Sequence, residues 1–355
     1  MESKKNCNKE EADIMSWIRF PLVLGVVMAH SNIYALVEIW EGTAPMWPEW
    51  LKYIFNYSYL MILPESVPLL FIISGYFFFR SPEEKNIKFY LTKWHRRIYS
   101  LLVPYLIWNT IAIAFLFIRF NILAGENLAL CDYISGFWDF TGREGNDPAD
   151  GPLWYIRDLM VMSLTTPLLY LLLRKKVTAI LLFALLSTCY ITGSGIHIAG
   201  FDTDSYIFFA VGAYIATSKI NFANIPHKVG IATLILYVPM QILINKTGNT
   251  PLLLLVTTAV KTTALLYLVS VLLRKGIIGP HNRLSKISFT LYALHGIIIG
   301  GIIKTLYTVT DSDNPLALLS IYISTPLIII TISYTLQKVL NRYAPTIAKL
   351  MTGNR

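Results

Sequence analysis

Arg19 and His30 have the types and spacing to do chemistry, because both fall inside one apolar run, 14–37, of this 355-residue chain. Eleven residues of helix amount to about three turns and ~16 Å of rise, so the two side chains leave one face at different depths. An imidazole titrates near working pH and can accept a proton, whereas a guanidinium stays charged and binds anions through a fork of N–H groups. An ionisable group at membrane depth costs at least ~2.5 kcal/mol and normally faces a polar interior, so both are candidate site residues lining one passage.

The elements that must hold them are membrane helices. Hydrophobic residues make up 55% of the chain and charged residues 14%, with a mean hydropathy of +0.54. That balance excludes an ordinary soluble domain and reads as an all-α integral membrane protein. Apolar runs that span, or nearly so, lie at 14–37, 58–79, 98–120, 153–173, 177–193, 204–218, 229–245, 251–273, 286–305 and 316–340. They predict a bundle of about ten transmembrane helices. No internal repeat or appended soluble domain is visible, so 1–355 reads as one domain. Its polar opening, 1–13, leads into a full-length span, read as an uncleaved anchor.

Lys and Arg collect in alternate connections, among them Arg80, Lys85, Lys93, Arg96 and Arg97, then Arg174, Lys175 and Lys176, while acidic residues occupy the others. By the positive-inside rule both termini are cytoplasmic. The same rule accounts for the net charge of +9 without any nucleic-acid partner. Cys7, Cys131 and Cys189 have no metal-ligand spacing, and no metal or disulfide framework is expected. The loop 121–152 is external and acidic, with aromatic residues such as Tyr133 and Trp138. It reads as a lid or binding element, or as a plain connector.

Five motifs occur in order along the chain. They are Arg19 and His30 with ten residues between them, Phe71-Ile-Ile-Ser74-Gly75-Tyr76-Phe77, Arg96-Arg97 before Pro104-Tyr105, Gly151-Pro-Leu-Trp154-Tyr155, and Ser288-Phe-Thr-Leu-Tyr292-Ala-Leu-His295. Together they resemble the acyltransferase 3 family. The resemblance implies a multi-spanning plasma-membrane enzyme, of the bacterial inner-membrane kind, that moves an acyl group, commonly acetyl. The donor would be a cytoplasmic acyl-coenzyme A, bound as substrate rather than as a permanent cofactor. The acceptor would be a hydroxyl of a surface glycan or polyprenyl-linked sugar. One departure stands out: the family often carries two arginines three apart here, whereas Ser100 follows Arg97 at that interval.

Acyl transfer to a sugar needs a base for the hydroxyl proton, and His30 fits that role; otherwise it is a core histidine bonded to a backbone carbonyl. Glu65 would hold the imidazole's tautomer, or be a solvated helix-terminal carboxylate. Arg19 would contact the donor or make a buried ion pair. Arg96 and Arg97 would bind coenzyme phosphates or simply anchor orientation. Ser74 and Gly75 would leave room for the pantetheine arm, or let helices approach closely. Ser74 lacks the partners of a nucleophile. Trp154 would cover the acyl or sugar group or belong to an aromatic belt, and Asp158 would be a second candidate partner for His30, or the ion-pair mate of Arg157. Tyr292 and His295 would contact donor or acceptor, or His295 would make a structural hydrogen bond. The competing class is a proton-coupled secondary transporter or channel, which would use Arg19, His30 and His295 as a path and show paired repeats.

Overall fold

Small polar residues, glycine and proline punctuate an almost wholly helical chain. The computed structural model describes residues 2–62, 66–81, 83–123, 125, 129–140, 147–248, 250–279, 283–310 and 314–353. Helix α1 (Glu2–His30) stops where the Ser31 hydroxyl turns back onto the Val27 carbonyl at 2.8 Å. Asn32 then caps α2 (Ile33–Glu41) by accepting from the Ala35 N–H at 3.3 Å. Gly42 closes α2 at φ 70°, a left-handed conformation that costs glycine nothing. After α3 (Glu49–Ile62) and α4 (Ser66–Phe79) comes α5 (Ile87–Arg97), capped by Asn86. It continues through a π-helical turn, Ile98–Leu102, into α6 (Val103–Phe117) and a second π-helical stretch, Ile118–Leu123.

A short α7 (Leu130–Ser135) and a 3-10 turn, Gly151–Leu153, lead into α8 (Trp154–Leu164). The chain then bends by 63° into α9 (Thr166–Leu173). Pro167 lies at the bend, where its ring cannot follow a straight helix. Next come α10 (Lys176–Thr192) and an antiparallel pair, β1 (His197–Ile198) with β2 (Phe201–Asp202). The remaining helices are α11 (Thr203–Thr217), α12 (His227–Thr247), α13 (Pro251–Arg274), α14 (Ser288–Thr308), α15 (Pro315–Tyr343) and α16 (Pro345–Thr352).

The molecule is a multi-pass membrane protein. Among the described residues, six helices are long and apolar enough to cross a bilayer, or up to seven if the bent pair α8 and α9 is one span. That is fewer than the ten expected from apolar runs. The difference lies in the broken and short segments: α8 and α9 are bent apart, α10 and α11 are short, and residues 63–65 of the run 58–79 lie outside the described residues.

Two features fix the interior. Helices α4 and α11 cross at Gly75 and Gly212, where a Cβ on Gly75 would run into the Phe209 carbonyl and one on Gly212 into that of Ile72. Without a hydrophobic drive between lipid-embedded helices, such close backbone contact supplies the attraction. The loop 121–152, in its described parts, is docked rather than free. Asp150, Gly151, Pro152 and Leu153 are buried, the Asp150 N–H donates to Asn109 Oδ1 at 3.1 Å, and the Tyr105 hydroxyl donates to the Phe137 carbonyl at 2.6 Å. At the opposite, basic end, Arg80 pairs with Glu11 at 3.2 Å and Arg274 with Glu10 at 2.5 Å.

Candidate active site

A cavity of about 350 Å³ is enclosed by α1, α4, the α5–π-turn segment, α8 and the start of α14. Five cations line it, Arg19, Lys93, Arg96, Arg97 and Lys286, and no carboxylate appears among its described lining residues. Like charges gathered on one lining repel one another, and an anion relieves that repulsion. Just outside, burial and the neighbouring charge of Lys93 pull the Lys85 ammonium below its usual pKa. Arg97 lies with its guanidinium 4.9 Å from the centre of the Phe78 ring, which orients the fork.

The other end of the cavity is small and polar. There the Ser74 hydroxyl and the Tyr155 hydroxyl lie 2.8 Å apart, and Tyr155 also donates to the Leu70 carbonyl at 3.2 Å. Tyr292, nearly fully buried, donates to the Pro152 carbonyl of the docked loop. The spacing of Gly151-Pro152 and Tyr292 in two distant motifs thus becomes a direct bond.

His30 is not part of the cavity lining. It stands in the last turn of α1, exposed, with Nδ1 2.9 Å from the Val26 carbonyl. A carbonyl can only accept, so this bond puts the proton on Nδ1 and leaves the Nε2 lone pair available, the tautomer a base requires. The bond to a backbone carbonyl, anticipated as the structural alternative, therefore equips the ring for proton transfer. His295 packs edge-on against it, ring centres 5.2 Å apart, and is itself fully buried, with its ring 6.0 Å from that of Tyr292. Neither nitrogen of His295 makes a well-formed hydrogen bond among the described residues.

The sequence candidates separate into three groups. Arg19, Ser74, Arg96, Arg97 and Tyr292 meet at the cavity, together with Ser100. His30 and His295 form a pair beyond it. Gly75, Trp154 and Asp158 are elsewhere. Gly75 is taken up by the α4–α11 crossing because only a bare Cα fits there. Trp154 packs on Phe71, ring centres 6.2 Å apart. Asp158 is buried against Arg157 at 2.9 Å, and Arg157 also holds the Trp138 carbonyl at 2.5 Å, tying the loop to α8. Glu65 lies outside the described residues.

Sequence reasoning passed over three features. Tyr155 was visible only as part of a motif, although an aromatic hydroxyl facing a serine on another helix is what closes the cavity. Lys93 and Lys286 read as topology signals, which their charge alone cannot distinguish from binding residues. Lys261, fully buried on α13, donates to the Leu60 carbonyl at 3.0 Å and to Gln241, and its charge inside an apolar run was the available signal.

Two further places bear on the site's limits. A second cavity of about 420 Å³ lies across α4, walled mostly by apolar side chains such as Ile72, Phe208 and Leu266, and shares Ile73 with the first. At the β1–β2 hairpin, His197, Asp202 and Asp204 bring ligand atoms within 4.8 Å of one another. There Asp202 is occupied in capping α11 and bonding His197.

A family model described as an acyltransferase domain matches residues 13–334, nearly the whole chain. Comparison with curated proteins and with solved structures finds no match.

Proposed function

The chain belongs to this acyltransferase family, and from that premise we propose that it transfers an acetyl group from acetyl-coenzyme A to a hydroxyl of an extracytoplasmic or lipid-linked sugar. The observation that carries the reading is the cavity whose described lining brings five cations together with the hydroxyls of Ser74, Tyr155 and Tyr292. Coenzyme A is a polyanion with a slender neutral arm, and this lining offers both cations and neutral polar groups.

Lys93, Arg96, Arg97 and Lys286 hold the nucleotide phosphates at the cytoplasmic face, with both chain termini on that side of a plasma membrane. Arg19 accompanies the pantetheine arm inward. The acceptor hydroxyl comes from the opposite side, where His30 is exposed. As the hydroxyl oxygen attacks the thioester carbonyl, His30 Nε2 takes its proton, and the imidazolium is steadied by the Val26 carbonyl on Nδ1. When the tetrahedral intermediate collapses, the carbon–sulfur bond breaks and His30 returns the proton to the leaving thiolate. The acceptor leaves as an ester and coenzyme A as a free thiol.

His30→Ala tests the assignment. Its hydrogen bond among the described residues is to its own helix and its contact with another helix is one ring edge, so the variant folds and still gains thermal stability from coenzyme A. Transfer of radiolabelled acetyl to membrane glycan falls about 10²- to 10⁴-fold, the usual contribution of a general base. Undiminished labelling refutes the base.

A further inference from the structure

The cavity and the base are separated by a wall. On α1 the lining ends at Val23, and His30 stands seven residues further on, ~10 Å along the axis. At that end of the lining stands a pair of rings. Tyr155 and Tyr292 have centres 6.3 Å apart and planes at 81°, an edge-to-face contact. On the far side of Tyr292 comes His295, and then His30. A thioester that enters among the cations must therefore pass this pair to be attacked.

The two rings differ in burial. Tyr292 is buried and pinned to the docked loop at Pro152. Tyr155 is only half-buried, stands in the first turn of α8, and is held by Ser74 and Leu70 of one neighbouring helix. Resting on the proposed donor reading, we infer that the gap opened by Tyr155 beside a fixed Tyr292 is the constriction the acyl group threads to reach His30. Tyr155 thereby sets the largest acyl group the protein transfers. One ring's displacement admits the pantetheine arm and an acetyl group and stops a branched or aromatic acyl group at the cavity's end.

Purified full-length protein is first tested for thermal stabilisation by coenzyme A itself. Lack of stabilisation overturns the donor reading, whatever Tyr155 does. With stabilisation established, transfer from acetyl-, isobutyryl- and benzoyl-coenzyme A is measured in membrane vesicles that retain the acceptor. Wild-type protein favours acetyl. Tyr155→Ala lowers the acetyl-to-benzoyl preference by at least about 10-fold, the discrimination a small volume change in a packed site commands. Tyr155→Leu, which also removes the ring but keeps an apolar filler, shifts the ranking the same way if the alanine variant does not fold. Tyr155→Phe loses the bonds to Ser74 and Leu70 yet retains the wild-type ranking. Coenzyme A binding together with an unchanged ranking in Tyr155→Ala or Tyr155→Leu overturns the proposal.

Discussion

Replacing Arg97 by glutamine distinguishes a binding residue from a topology signal. Arg97 is half-buried, lines the cavity and rests on Phe78, so its charge is only partly screened. A hydrogen bond to a charged partner contributes about 1.5–3 kcal/mol, and the exposure argues for the lower part of that range. About 1.5–2 kcal/mol corresponds to a 10- to 30-fold rise in KM for acetyl-coenzyme A. Arg96 lines the same cavity but is exposed; there a charge pair contributes about 1 kcal/mol at most, and Arg96→Gln raises KM no more than about 5-fold. The assay compares acetyl-coenzyme A with acetyl-pantetheine, which lacks the nucleotide phosphates. Arg97→Gln weakens the first donor and not the second, and raising salt narrows the difference. If Arg97→Gln leaves the KM for acetyl-coenzyme A unchanged, or weakens both donors alike, the phosphate assignment is wrong and Arg97 serves orientation alone.

Two other perturbations probe the scaffold. Gly212→Val pushes a side chain into the Ile72 carbonyl and destabilises the protein by about 1–3 kcal/mol or more; a thermal midpoint in detergent that does not move would show that α4 and α11 part easily. Arg157→Met leaves Asp158 buried without its main partner and costs about 3–5 kcal/mol. Adding Asp158→Leu recovers much of that loss, as read by thermal unfolding, whereas an additive double variant would exclude coupling between the two.

Local pattern revealed the membrane class, the helical content and five of the residues that gather at the cavity, Arg19, Ser74, Arg96, Arg97 and Tyr292. It could do so because charge in an apolar run is conspicuous wherever the run ends up. Arg19 and His30 share a helical face, yet one meets the cavity and the other stands beyond the tyrosines. Helical phase says which way side chains point, not what neighbouring helices insert between them. Ser74 and Gly75 are adjacent and face different neighbours for the same reason. The count of spans suffered where hydropathy is blind to breaks and length: Pro167 lets an apolar run bend, and α10 and α11 are short although their composition is apolar. Docking of the long loop depends on Asn109, which has no local signature, and on Tyr105, which a motif marks without saying what it bonds.

The π-helical turn Ile98–Leu102, closed by the Val103 N–H on the Ile98 carbonyl, gives the chain one residue more than an α-helical turn would hold. That surplus sets the angular offset between α5, which carries Lys93, Arg96 and Arg97, and α6, which is anchored to the loop. Loss of a single residue there would rotate the basic face by ~100° against the rest of the bundle and aim its charges at lipid, with every cation still in the sequence. Segment length is thus part of the recognition code, and the place of Ser100 has to be counted along this looser winding rather than on an ordinary helical wheel.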